Sequence, residues 1–264
     1  MAALFHYTER HCSPALRPWL WNYWEFRVES DEPGPVPHHV PPDGSTSIAL
    51  VVRARAVQHA AASGPWLEPL VIPVTPGVDY YGVRFRPESG ALMLGVEPGR
   101  LLNRNQPLAV LAPALARRLT ESIAGSEGSD QIVAAMERVF QDLLHQISRP
   151  DDIARDAVNL LIATRGEPTI AALATSLRVA PRTLLRRFRR ATGLSPKQFA
   201  RICRFRHAAF QLMEANRPGW AQVASGTGFA DQAHMINEFK DLTGLTPEGL
   251  EALVRKTSHG DLVV

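Results

Sequence analysis

The sequence predicts an α+β chain of two domains. Residues 1–148 should form a small β-barrel or sandwich with packed helices, and residues 149–257 an all-α domain of two helix-turn-helix motifs joined by a long helix. Three observations carry this prediction. Short β-prone runs divided by turn chemistry crowd the first third of the chain. Helical spacing takes over after Pro107. One pattern then occurs twice, as LRRFRRATGLSP at 185–196 and INEFKDLTGLTP at 236–247. At an offset of 51 residues Phe188 meets Phe239, Thr192 meets Thr243 and Gly193 meets Gly244, followed by Leu194 with Leu245, Ser195 with Thr246 and Pro196 with Pro247. Duplication on this scale means two copies of one supersecondary unit, and two copies are too few for a solenoid.

The candidate strands are SIALVV (47–52), LEPLVIPV (67–74) and YYGVRF (80–85). Turns are marked by Pro41-Pro42-Asp43-Gly44, Ser63-Gly64-Pro65 and Thr75-Pro76-Gly77. Helices follow at 108–123 and 131–147, separated by the Gly- and Ser-rich segment 125–130. In the second of them Ile132, Met136, Val139, Phe140, Leu143 and Leu144 recur at helical steps, so one face is buried. The sequence leaves open whether that face packs on the β-rich part or on a second subunit. A further helix over about 152–164 leads into the repeat.

In the first copy Ile170, Leu173, Ala174 and Leu177 form an apolar stripe on a short helix, and a turn follows at Arg178-Val179-Ala180. Pro181 suits the first position of the next helix, which lacks a partner for its N–H in any case. Leu184 and Phe188, four apart, face the first helix, and Gly193 with Pro196 ends the second. The other copy repeats the scheme with Ala221, Val223 and Ala224, a turn at Gly226-Thr227-Gly228, and a helix from Asp231 to Leu242 that buries Met235 and Phe239. Its first helix aligns at an offset of 50, so its turn is one residue longer. One continuous helix from Pro196 to about Ala215 joins the two.

Composition limits what the chain can be. A hydrophobic content of 45% with 21% charged residues describes a globular protein. The apolar run Ile48–Val52 is far too short to span a bilayer, so no membrane partner is expected. No secretory signal is visible at the start, and two cysteines, Cys12 and Cys203, give no disulfide or metal framework. A cytoplasmic location is expected. The overall +3 charge conceals an asymmetry. Residues 1–164 carry 14 Arg against 18 Asp and Glu, a net −4, whereas 165–257 carry 12 Arg and 3 Lys against 7 acids, a net +8. Only the back of the chain is therefore expected to meet a polyanion.

The motifs APRTLLRRFRRATGLSP and GFADQAHMINEFKDLTGLTP, joined by a helix of the expected length, make residues 165–254 resemble the C-terminal DNA-binding domain of the AraC/XylS family of bacterial transcription regulators. The resemblance implies double-stranded DNA as partner, with the two second helices in adjacent major grooves about 10 bp apart. It implies that Arg182, Leu185 and Arg186 approach base edges in the first copy, and Gln232, Ala233 and Asn237 in the second, with His234 nearby. Arg suits guanine, Leu a thymine methyl, and Gln or Asn adenine. Arg187, Arg190 and Lys240 are expected at phosphates. Because the helices differ, the DNA site should be asymmetric. Two departures from the family stand out. Ala180 occupies a position where a Ser cap is usual, and Glu238 and Asp241 dilute the charge of the second copy, so the first copy is expected to supply more affinity.

Family resemblance at the front is weaker. WLWNYWEF (19–26), VPPDGST (40–46) and GVRFRPESG (82–90) are similar to the N-terminal domain of an AraC-type branch of unassigned ligand. Such a domain senses a small molecule or mediates dimerisation. Trp19, Trp21, Trp24, Trp66, Tyr23, Tyr80 and Tyr81 are candidates for an aromatic pocket or, taken singly, for core. As an enzyme the front half lacks support. His6, His11, Cys12, His38 and His39 are candidate metal ligands, yet adjacent residues such as His38 and His39 point to opposite faces of a strand. No catalytic residue, metal or cofactor is expected. The reading is a sequence-specific transcription regulator controlled at its front by a small molecule, a partner or a second copy. A non-specific architectural DNA binder is the alternative, with an enzyme fused to a DNA-binding module behind it.

Overall fold

Strands β1 (Leu4–His11), β2 (Leu20–Glu29), β4 (Ser47–Arg53), β5 (Ala56–Ser63), β7 (Asp79–Phe85) and β8 (Asn105–Pro107) form one antiparallel sheet. A parallel edge strand, β9 (Thr257–Ser258), joins it from the far end of the chain, giving the order β8-β5-β4-β7-β2-β1-β9. Strands β3 (Val36–Val40) and β6 (Leu70–Val74) pair separately as a two-stranded ribbon. This computed structural model describes residues 4–31, 34–213, 219–255 and 257–258, the last two as backbone only.

The large sheet is covered on both faces, because its strands alternate inward and outward side chains. One face carries Tyr23, Ile48, Leu50, Val83 and Phe85 into the main core. The helices α1 (Gly90–Leu94), α2 (Leu108–Leu111), α3 (Pro113–Ile123) and α4 (Gly128–Leu144) supply most of that core's remaining apolar side chains, with Leu16, Trp19 and Leu101 from the connecting segments, and α1 also touches the C-terminal domain. Phe140 of α4 packs its ring 5.6 Å from Phe85 and 6.4 Å from Tyr23, between centroids. The apolar face of α4 is thus spent on the sheet within the chain. Burying a Phe in this way contributes on the order of 1.5–3 kcal/mol. The opposite face presents Phe5, Phe26 and Val28 to the β3-β6 ribbon.

Two element predictions need correction. The single helix expected over 108–123 is broken at Ala112 (φ −142, ψ 70), since Pro113 disfavours helical geometry in the residue before it. The strand expected over 67–74 begins only at Leu70, after Pro69. Strands β1, β2, β3, β5, β8 and β9 were not foreseen at all.

The C-terminal part comprises α5 (Asp152–Ala163), α6 (Ile170–Ser176), α7 (Pro181–Thr192), α8 (Pro196–Met213), α9 (Trp220–Gly226), α10 (Gln232–Thr243) and α11 (Pro247–Val254). The offsets read from the sequence recur here, 50 between the starts of α6 and α9 and 51 between α7 and α10. Residues 214 and 215 of the expected linking helix lie outside the described residues. Two small cores flank α8. One gathers Val158, Leu161, Leu173, Leu184, Phe188 and Phe199, the other Phe205, Leu212, Val223, Met235, Phe239 and Leu250. The aligned residues Phe188 and Phe239 each meet a phenylalanine of α8, Phe199 at 5.8 Å and Phe205 at 4.8 Å. One rigid helix therefore anchors both units.

Candidate nucleic-acid interface and a cavity

The repeated Thr-Gly-Leu-[Ser/Thr]-Pro stop has the same chemistry in both copies. Thr192 Oγ1 donates to the Phe188 carbonyl (2.9 Å) and accepts from Leu194 N–H (3.0 Å). Thr243 does the same with Phe239 (2.7 Å) and Leu245 (3.1 Å). Gly193 (φ 77) and Gly244 (φ 75) adopt the left-handed cap that a side chain would strain. Ser195 and Thr246 then cap the next helices, accepting from Gln198 N–H (3.2 Å) and Gly249 N–H (3.1 Å).

With these ends fixed, α7 buries Leu184, Phe188 and Thr192 and leaves Arg182, Leu185, Arg186, Arg189 and Arg190 exposed. Leu185 is 41% exposed. Ala180 has the extended backbone of a cap residue (φ −66, ψ 142) but supplies no side-chain bond. Arg187, expected at a phosphate, lies half-buried with its Nε 2.7 Å from Asp151 Oδ2. Asp151 also caps α5 by accepting from Ala154 N–H (3.0 Å). Burial pulls its carboxyl upward, but the Arg187 bonds and the backbone N–H groups outweigh this and hold it below the usual carboxylate range.

In the second unit α10 buries Met235, Phe239 and Leu242 and exposes Gln232, Ala233, Asn237 and Lys240. Asp231 caps it, accepting from His234 N–H (2.7 Å). His234 Nδ1 in turn accepts from Ala230 N–H (3.2 Å), and its ring stands edge-on to Phe229 at 5.5 Å, so this side chain organises the turn. Sequence reasoning missed Arg201 of α8. It pairs with Glu238 and, at 3.1 Å, with Asp241, which neutralises the acids that were weighed against Lys240.

Both cap glycines rest on the N-terminal domain. A Cβ at Gly193 would come within 3.0 Å of the Pro98 carbonyl oxygen, and one at Gly244 within 3.4 Å of Pro69 Cβ. Leu67 and Leu102 reach into the core of the first unit. The contacts at Gly193 and Gly244 fall at the C-terminal ends of α7 and α10, away from the positions assigned to bases.

Between the large sheet and the β3-β6 ribbon lies a cavity of about 260 Å³. Its walls are Tyr7, Trp24, Phe26, Trp66, Ile72 and Tyr80, closed by Arg206 of α8 and by Leu253 and Val254 of α11. Of the aromatics proposed from sequence, Trp24, Trp66 and Tyr80 line it, whereas Trp19, Tyr23 and Tyr81 fill the core on the other face. At its charged end Arg84 is held by Glu9 (3.0 Å), Asp43 (2.9 Å) and the Tyr7 hydroxyl (3.0 Å). Burial pulls the Arg84 guanidinium down, but Asp43, Tyr7 and Glu9 together raise it. Burial also lowers Arg206 below the ordinary arginine range, although Asp43 and Glu9 oppose this. Burial raises the Cys12 thiol and pushes Cys203 up to about 12, so neither is an activated nucleophile. Among the described residues no three His, Cys, Asp or Glu side chains gather as a metal site, and no helix is long and apolar enough to cross a membrane.

Two helix-turn-helix units fixed on one helix, each with an exposed polar face on its second helix, define a class of nucleic-acid-binding protein. Comparison with known families agrees. Residues 173–252 match the model of a helix-turn-helix domain, and residues 8–107 that of a domain of unknown function (DUF6597). The C-terminal part is thus a helix-turn-helix domain. No curated protein matches it. Similar solved structures include a probable AraC family transcriptional regulator from Rhodopseudomonas palustris CGA009, with 26% identity and TM-score 0.35, covering 41% of this chain and 100% of that one. The C-terminal domain of the response regulator AraT from Geobacillus stearothermophilus has 23% identity and TM-score 0.37, covering 44% and 95%. ToxT from Vibrio cholerae O395, bound to (E)-4-(8-methylnaphthalen-1-yl)but-3-enoic acid, has 12% identity and TM-score 0.44, covering 97% and 100%.

Proposed function

We propose that this chain is a transcription regulator that reads an asymmetric promoter site with α7 and α10 in successive major grooves, and that a small molecule in the cavity controls the reading. The observation that carries the proposal is the shared exposure of equivalent faces. Arg182, Leu185 and Arg186 on one helix and Gln232, Ala233 and Asn237 on the other stand in solvent, while the helix ends are bound to the rest of the chain. Arg190 and Lys240 are the phosphate contacts on this reading, and Arg187 joins them only by leaving Asp151. The functional boundary falls at about 148/149, because Val158 and Leu161 of α5 share the core of the first unit.

Arg206, Leu253 and Val254 give the cavity a wall from the DNA-binding side, so its occupancy bears on the second unit. That wall is the reason for placing the effector there. A cytoplasmic location and assembly as a homodimer belong to the same reading. Catalysis has no part in it. Gel-shift titrations test the base-reading assignment. Arg182→Ala and Arg186→Ala should each cost about 1–3 kcal/mol on the preferred site and much less on random DNA. Equal weakening on both DNAs would refute the assigned roles and favour a non-specific architectural binder.

A further inference from the structure

The cavity's polar groups fall into two sets with different fates. The charged set is satisfied internally: Arg84 spends its guanidinium on Glu9, Asp43 and Tyr7, and Arg206 lies in the field of the same two carboxylates. Two guanidinium groups face two carboxylates, so the charged end is balanced. An anionic ligand would have to displace a buried carboxylate to be bound there, and leaving a buried charge unpaired is costly.

The second set is uncharged and unspent. Among the described residues Ser45, only 3% exposed, has no hydrogen-bond partner for its Oγ, and neither has His38 for its Nδ1. Both residues line the cavity. Buried polar atoms are almost always paired, so two unpaired ones in residues beside the cavity are the groups a ligand can engage. Burial, and then the neighbouring His39, bring His38 down to about 4, so this ring is neutral near pH 7. It lies 4.5 Å from the Phe26 ring, on a wall shared with Trp24 and Tyr80. Such a wall favours a flat ring system, which gains from stacked and edge-on contacts.

We infer that the cavity takes an uncharged ring compound bearing hydroxyl or amide groups, held by Ser45 and His38 against aromatic walls. This rests on the reading of the cavity as the effector site. The volume of about 260 Å³ limits the ligand to a small one, below the usual 300–1,000 Å³ of ligand pockets.

The test is quenching of tryptophan fluorescence in the full chain, since Trp24 and Trp66 line the cavity. The probes are one- and two-ring compounds matched in skeleton, with 2-naphthol and 2-naphthamide set against 2-naphthoate and phenol against benzoate. The neutral members should bind at least about tenfold tighter than the carboxylates. Ser45→Ala, which keeps the cavity's shape, should weaken them roughly fivefold to tenfold, an ordinary cost for one buried hydrogen bond. Ala49→Phe, which fills the cavity, should abolish binding while far-UV circular dichroism stays unchanged. Carboxylates that bind more tightly and are lost in Ala49→Phe would overturn the neutral-ligand inference and leave the effector cavity standing. If nothing binds, or Ala49→Phe makes no difference, the effector reading itself falls and takes this inference with it.

Discussion

Single residues in this chain act chiefly by deciding which charges stay free. Asp151 holds Arg187 and caps α5, and its depressed carboxyl gives the contribution a definite sign. A carboxylate lowered in the folded state stabilises above its unfolded value of about 3.9 and loses that effect as pH falls through the folded value. Asp151→Ala should therefore cost about 1 kcal/mol of urea stability at pH 7, the usual loss for a cap. The difference should shrink below about pH 4, and a pH-independent cost would contradict the pairing. Arg201 acts through its partners. Removing it leaves Glu238 and Asp241 unpaired on the flank of α10, so Arg201→Ala should weaken DNA binding roughly fivefold at low salt, and Glu238→Gln should restore part of the loss. Competition gel shifts with single and double variants measure this. None of these pairs was legible in the sequence, because each joins segments tens of residues apart.

Elements whose local chemistry agrees with their fold were readable, and the others were not. The helix-turn-helix pairs, their caps and the exposed faces follow from spacing, Gly193, Gly244 and the prolines alone. Strand β5 escaped because its hairpin turn carries Ala54 (φ 49) and Arg55 (φ 61), where Asn-Gly or Gly-Gly would normally signal two left-handed residues. The Ala-rich segment after it reads more like helix. Strand β3 hid behind Pro37, tolerated here because a two-stranded ribbon consists only of edges. The strained turn gives its own prediction. Ala54→Gly should stabilise the chain by about 1 kcal/mol, since the left-handed conformation costs a side chain roughly 1–2 kcal/mol. A rise of a few degrees in the thermal midpoint would show it, and an unchanged midpoint would mean that the turn carries no strain.

At the scale of the whole molecule, the N-terminal domain touches both helix-turn-helix units at matching places, Pro98 against Gly193 and Pro69 against Gly244. The parallel pairing of β9 with β1 ties the end of the chain back to its beginning. These contacts, with the cavity wall of Arg206, Leu253 and Val254, make the front of the chain a bracket for the two reading helices. The sequence showed the two units and their charge, but the bracket arises only when distant loops meet. The central proposal is that α7 and α10 read DNA as two separate, unequal heads. Selection of preferred sites from random duplex DNA, run in parallel on the unaltered chain and on the Arg186→Ala and Asn237→Ala variants, tests this directly. The account predicts two unlike half-sites about 10 bp apart, with each substitution relaxing preference in its own half alone. A palindromic site, or a single substitution that relaxes both halves together, would contradict it.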